Sequence, residues 1–76
     1  MEKGVQPLDA LLTELDLKNH ALVEVSSEQL THRVVAKGRK GRRLTLRAQH
    51  KILTALNDVQ SEKVYALSDL FNYRGK

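Results

Sequence analysis

Arg33, Lys37, Arg39, Lys40, Arg42, Arg43, Arg47 and Lys51 fall within residues 29–57, a stretch that holds no aspartate or glutamate. Cations held this close repel one another unless an anion screens them, so the block points to a polyanionic partner. A basic face that merely meets solvent is the plainer alternative. Nucleic acid is the usual partner of such a patch in a small domain. Ser27, Glu28, Gln29, Thr31, His32 and Arg33 stand just ahead of the block and offer donors and acceptors of varied geometry. Glutamine can pair bidentately with adenine, arginine with guanine, and glutamate can accept from cytosine. Two of these residues have a second use: Glu28 suits the positive end of a helix, and Gln29 can close a capping box.

Other chemistries are poorly served. His20, His32 and His50 are too widely spaced to make an i, i+4 pair, and the chain has no cysteine, so no metal site and no cofactor is expected. Gly38-Arg39-Lys40-Gly41 lacks the Gly-Lys-Ser/Thr ending and the preceding strand of a phosphate-cradling loop. It has the Gly-x-x-Gly form of a KH loop, but no strand alternation accompanies it. Tyr65, Phe71 and Tyr73 are too few for a base-stacking platform. No nucleophile with an oriented base and no paired carboxylates appear, so the chain is not expected to be an enzyme.

The elements that must position the basic block are short helices. Pro7 suits a first helical turn, and Leu8, Leu11, Leu12 and Leu15 share one stripe, which predicts helix 7–15. Asn19 is a candidate cap for a helix over 20–25 that turns Leu22 and Val25 inward. Ser26-Ser27-Glu28-Gln29 reads as a capping box that opens a helix from about 27 to 37, with Leu30 and Val34 on its apolar face. Gly38 and Gly41 then end or bend the segment. Thr45 is the expected cap of the next helix, in which Gln49, Ile52, Leu53 and Leu56 share a face and which Asn57 closes. Ser61 and Glu62 are expected to start a fifth helix, over about 61–73, with Val64, Leu67, Leu70 and Phe71 as its stripe.

The fold class is therefore all-α: one domain over residues 1–76, a compact bundle of about five short helices. With 76 residues, such a domain buries only about 60% of its unfolded surface, so its core is thin. Hydrophobic residues make up 41% of the chain, which argues against disorder throughout. No apolar run is long enough to span a membrane, and no apolar signal region follows Met1. A cytoplasmic, nucleoid-associated location is expected. The net charge of +4 conceals a split: residues 1–28 carry six acids against Lys3 and Lys18, and the cationic block follows.

Several of these features, taken in order, resemble the lambda-repressor-like helix-turn-helix proteins of the Cro/C1 (XRE-like) type. Leu11-Leu12-x-x-Leu15-x-Leu17 precedes a short helix, and Ser26-x-x-x-Leu30-Thr31 opens the next one. Gly41-Arg42-Arg43 forms the loop, and Ile52-Leu53-x-Ala55-Leu56-Asn57 closes the fourth helix. The likeness covers residues 8–57. Val23-Glu24-Val25 stands where the family has a Leu-Ala pair and a glycine-containing turn, and the span from Ser26 to the basic loop is longer than usual. The resemblance implies a regulator of bacterial or phage style that binds double-stranded DNA, often as a dimer. By the resemblance, Ser27, Gln29, Thr31, His32 and Arg33 would face the major groove, and Arg42, Arg43 and Thr45 would grip phosphate. The reading of the residues themselves adds Glu28 to the base-reading set and Lys37, Arg39, Lys40 and Arg47 to the phosphate-binding set. A homodimer through the 61–73 helix would fit; the alternative is that this helix simply covers the core. No small-molecule ligand is expected. Two other functions compete: an RNA or nucleoid binder that uses the same patch without base readout, and a protein-interaction module.

Overall fold

The computed structural model describes residues 4–26, 30–60 and 62–73, and these form an all-α bundle. Its helices are α1 (Pro7–Glu14), α2 (Asn19–Val25), α3 (His32–Lys40), α4 (Leu46–Val59) and α5 (Leu67–Leu70). Helices this short are marginal alone and must share a core. Leu8 and Leu12 of α1, Leu22 of α2, Val35 of α3 and Ile52 and Leu56 of α4 are fully buried. Each such aliphatic side chain contributes about 1.5–3 kcal/mol on burial. The longest helix, α4, supports α2, α3 and α5, while α1 packs against α3 and α5. Among the described residues, no helix is long and apolar enough to cross a membrane.

Where a helix start is set by a neighbouring side chain, the sequence located some starts and misplaced others. Thr45 caps α4 as expected, its hydroxyl accepting from the Ala48 N–H at 3.1 Å. The cap of α3 is Thr31, which accepts from Val34 N–H at 3.2 Å, and not Ser26. Ser26 instead ends α2, its N–H bonded to the Leu22 carbonyl, so α3 begins at His32 and not near 27. Gln29, the other half of the expected box, lies outside the described residues. A Thr-x-x-Val start competes poorly with Ser-x-x-Gln on local grounds. It is favoured here because it lets Leu30 and Val35 both enter the core, at 4% and 0% exposure. Two details of α2 differ as well. Lys18, not Asn19, is its N-cap residue, and Val25 stays exposed and does not turn inward. At the far end of α4, Asn57 does not close the helix, which continues to Val59.

The fifth helix is a single turn, not the 61–73 helix that its apolar spacing predicts. The cause lies in two side-chain amides. The Asn57 side chain donates to the Tyr65 carbonyl at 3.2 Å and accepts the Tyr65 N–H at 2.9 Å. Gln60 does the same for Lys63, at 2.6 and 3.3 Å. The backbone groups that a helix would use are satisfied by these amides, so residues 62–66 stay non-helical. Val64 is consequently 84% exposed and is not part of an apolar stripe. The helix turn begins only where the Asp69 carboxylate accepts the Ala66 N–H at 2.9 Å. Leu70 and Phe71 are buried in the chain's own core, which removes them from the dimer face expected of this segment.

Of the two glycines after the middle of α3, only Gly41 ends the helix. It sits in the left-handed region at φ 89°, and its N–H bonds back to the Gly38 carbonyl. A Cβ there would collide with the Gly4 carbonyl. Gly41→Ala is therefore expected to cost about 1–3 kcal/mol, lowering the urea midpoint with little change in its slope; a midpoint equal to that of the parent chain would contradict this account.

Candidate nucleic-acid interface

The outward face of α3 follows from what its inward face must do. Val35 is fully buried, and Gly38 lies against α4. A Cβ on Gly38 would stand 3.1 Å from Ile52 Cδ1 and 3.2 Å from Leu44 Cδ1, so glycine lets the two helices approach closely. With positions 35 and 38 fixed inward, helical periodicity sends 33, 36, 37 and 40 outward along one stripe. Arg33 and Lys40 are exposed, and Ala36 and Lys37 are half-buried. These four residues and Arg42 line an open cleft of about 520 Å³. Ala36 is its small floor and cations form its walls. Successive cations sit about one helical turn apart, ~5.4 Å along the axis.

Arg42, Arg43 and Thr45 extend the cationic surface from the end of α3 to the start of α4. Gly41 reverses the chain, and the Arg42 N–H bonds to the Lys37 carbonyl at 3.0 Å. Arg43 is exposed, as is Arg47 on the first turn of α4. The Thr45 hydroxyl is engaged in its cap. Thr45 and Arg47 thus flank the N-terminus of α4, where unpaired backbone N–H groups and the helix dipole favour an anion.

Arg39 does not join this surface. Its Nε donates to Asp9 Oδ1 at 2.6 Å and its Nη1 to Asn19 Oδ1 at 2.9 Å, so its guanidinium ties α1 and α2 to the end of α3. Its place inside the cationic run predicts a phosphate contact; the helical period instead turns it aside from the stripe of Arg33, Lys37 and Lys40, towards α1 and α2. Asn19 is thereby also accounted for, as a partner of Arg39 and not as a cap.

The structure brings together two residues that the sequence keeps apart. The rings of His20 and His32 stack, with centroids 5.8 Å apart and planes 16° from parallel. His20 Nε2 also lies 3.0 Å from Glu24 Oε1. This places His32, in the first turn of α3, beside exposed Arg33, and holds it there from α2. A spacing of twelve residues gives no local signal for such a pair. Thr31, expected at the same edge, is exposed but spends its hydroxyl on the α3 cap. Ser27, Glu28 and Gln29 lie outside the described residues. Of the expected base-reading set, His32 and Arg33 therefore stand at the accessible start of α3. Among the described residues, no group of three His, Asp or Glu side chains is placed to hold a metal ion.

No protein-family model matches the chain, and no curated protein or solved structure is significantly similar to it.

The placement of Arg39 separates two neighbouring cations by role. Its ion pair is partly exposed, with side-chain exposures of 22% and 40%, so the pair is screened and contributes about 1 kcal/mol. Arg39→Ala is expected to lower the melting temperature by about 4–8 °C, whereas Lys40→Ala shifts it little. Equal effects of the two substitutions, read by circular dichroism melts, would contradict the division.

Proposed function

We propose that this protein is a small duplex-DNA-binding regulator that presents α3 to the major groove and grips phosphates with the chain that follows it. The observation that carries the reading is the cleft on the outer face of α3, walled by Arg33, Lys37, Lys40 and Arg42. Among the described residues no carboxylate lines it, so its electrostatic complement is a polyanion with closely spaced charges. An α-helix fits the width of the major groove, and the first turn of the inserted helix meets base edges. His32 and Arg33 occupy that turn. Lys37, Lys40, Arg42, Arg43 and Arg47 then fall on the backbone side. The likeness to lambda-repressor-like proteins in the order of α1 to α4 supports the same arrangement, and in that arrangement two copies would occupy adjacent half-sites.

A second reading is favoured by one feature of the same cleft. Among the described residues its lining consists of cations and Ala36, with no amide or hydroxyl side chain. Such a surface also suits nucleic acid held by its backbone alone, without base readout. The two readings diverge under substitution. Arg42→Ala should weaken binding to all sequences alike, while His32→Ala or Arg33→Ala should change which sequences are preferred.

The deciding experiment is fluorescence anisotropy of a labelled random duplex, with single-stranded RNA in parallel, across about 50 to 200 mM salt. If about six phosphates are contacted, log affinity should fall with log salt at a slope near about −5, and Arg42→Ala should flatten it by about one. An absence of duplex binding at low salt would sink the regulator reading. Uniform losses from Arg42→Ala and Arg33→Ala would favour the backbone-only reading.

A further inference from the structure

The basic turn after α3 is held by a residue from the other end of the chain. The Tyr73 hydroxyl accepts the Leu44 N–H at 2.9 Å and donates to the Arg42 carbonyl at 3.0 Å. These two backbone groups flank Arg43, so one oxygen closes the chain around it. The phenol is itself fixed on two further sides. Its ring meets Phe71 edge-on, with centroids 5.8 Å apart and planes at 70°, and Phe71 is 3% exposed. Its own carbonyl accepts from the buried Gln49 amide of α4 at 3.4 Å. Upstream, Gly41 is locked in the left-handed region, and downstream Thr45 caps α4. The stretch 42–44 is thus the span between two fixed helix ends, and the tyrosine hydroxyl supplies its cross-link.

We infer that Tyr73 is a positioning residue for the nucleic-acid interface: it touches no ligand but holds the backbone from which Arg42 and Arg43 reach phosphate. The inference rests on the nucleic-acid reading given above. Its physical basis is preorganisation. Two arginines on a mobile turn must lose backbone and side-chain freedom when they bind, whereas a turn already closed has given up much of that freedom on folding.

Tyr73→Phe tests it, because it keeps the ring and its contact with Phe71 and removes only the oxygen. Duplex binding is expected to weaken about three- to tenfold. The loss should not multiply with that of the Arg42→Ala/Arg43→Ala double substitution, because Tyr73 acts through those two contacts, whereas it should multiply with that of Lys37→Ala. In the free protein, exchange of the Leu44 amide should accelerate while that of Ala48, inside the α4 cap, does not. Ala55→Gly, a destabilising change in the middle of α4, controls for loss of stability and should leave duplex affinity at 10 °C unchanged. If the parent chain binds and Tyr73→Phe binds equally well, or if its loss multiplies with that of the Arg42→Ala/Arg43→Ala double substitution, the positioning role is overturned and the nucleic-acid reading stands. If the parent chain binds no nucleic acid, both fall together.

Discussion

The buried side chain of Gln6 is the constraint on which the rest of the architecture hangs. Its Oε1 accepts the Asn72 N–H at 2.8 Å, its Nε2 donates to the Gly4 carbonyl at 2.9 Å, and its own N–H meets the Arg39 carbonyl at 3.1 Å. One residue thereby brings the start of the chain, the last turn of α3 and the segment after α5 to a single point. At 1% exposure, an amide left unpartnered here would carry its full desolvation cost. A thin core cannot fix the ends of five short helices by packing alone. In this protein amide side chains supply the remaining order: Gln6 at the N-terminal end, Gln49 under Tyr73, and Asn57 and Gln60 along the stretch that leads to α5.

That division explains which parts of the fold could be read from the sequence. Helix α1 with its C-cap carries four leucines at helical spacing, and α4 carries Ile52, Leu53 and Leu56. Each has a local start signal, Pro7 or Thr45, and each starts where the pattern puts it. The start of α3 could not be chosen locally. Ser26 and Thr31 are both competent caps, and the decision belongs to whether Leu30 and Val35 reach a core formed by residues far away in sequence. The fifth helix was misread for a related reason. Val64, Leu67, Leu70 and Phe71 satisfy the helical template, but the hydrogen-bonding groups of Lys63 and Tyr65 are already engaged by Gln60, just past α4, and by Asn57 within it.

The candidate site was legible in its charge and partly hidden in its geometry. The run of cations without an acid is visible from composition alone. Which cation faces outward is a question of helical phase, and the phase is fixed by Val35 and Gly38 against α4. Arg39 falls on the wrong side of that phase and becomes a brace between α1, α2 and α3. Ala36, unremarkable as a residue type, lines the cleft together with the cations. The His20–His32 stack could not have been foreseen, since it depends on the angle at which α2 meets the first turn of α3.

The bond between Gln6 and Asn72 spans 66 positions, and that between Tyr73 and Arg42 spans 31. Both involve backbone or side-chain groups within a few residues of the C-terminal end of the described chain. During synthesis, therefore, the cationic surface emerges from the ribosome well before the residues that organise it. A nascent chain that has passed Arg47 carries the full charge of the site but not its shape. Contacts of such separation also slow the search for the native state relative to a bundle closed by neighbours alone. The contacts that close the turn after α3 and join Gln6 to Asn72 can form only once residues 72 and 73 have been made.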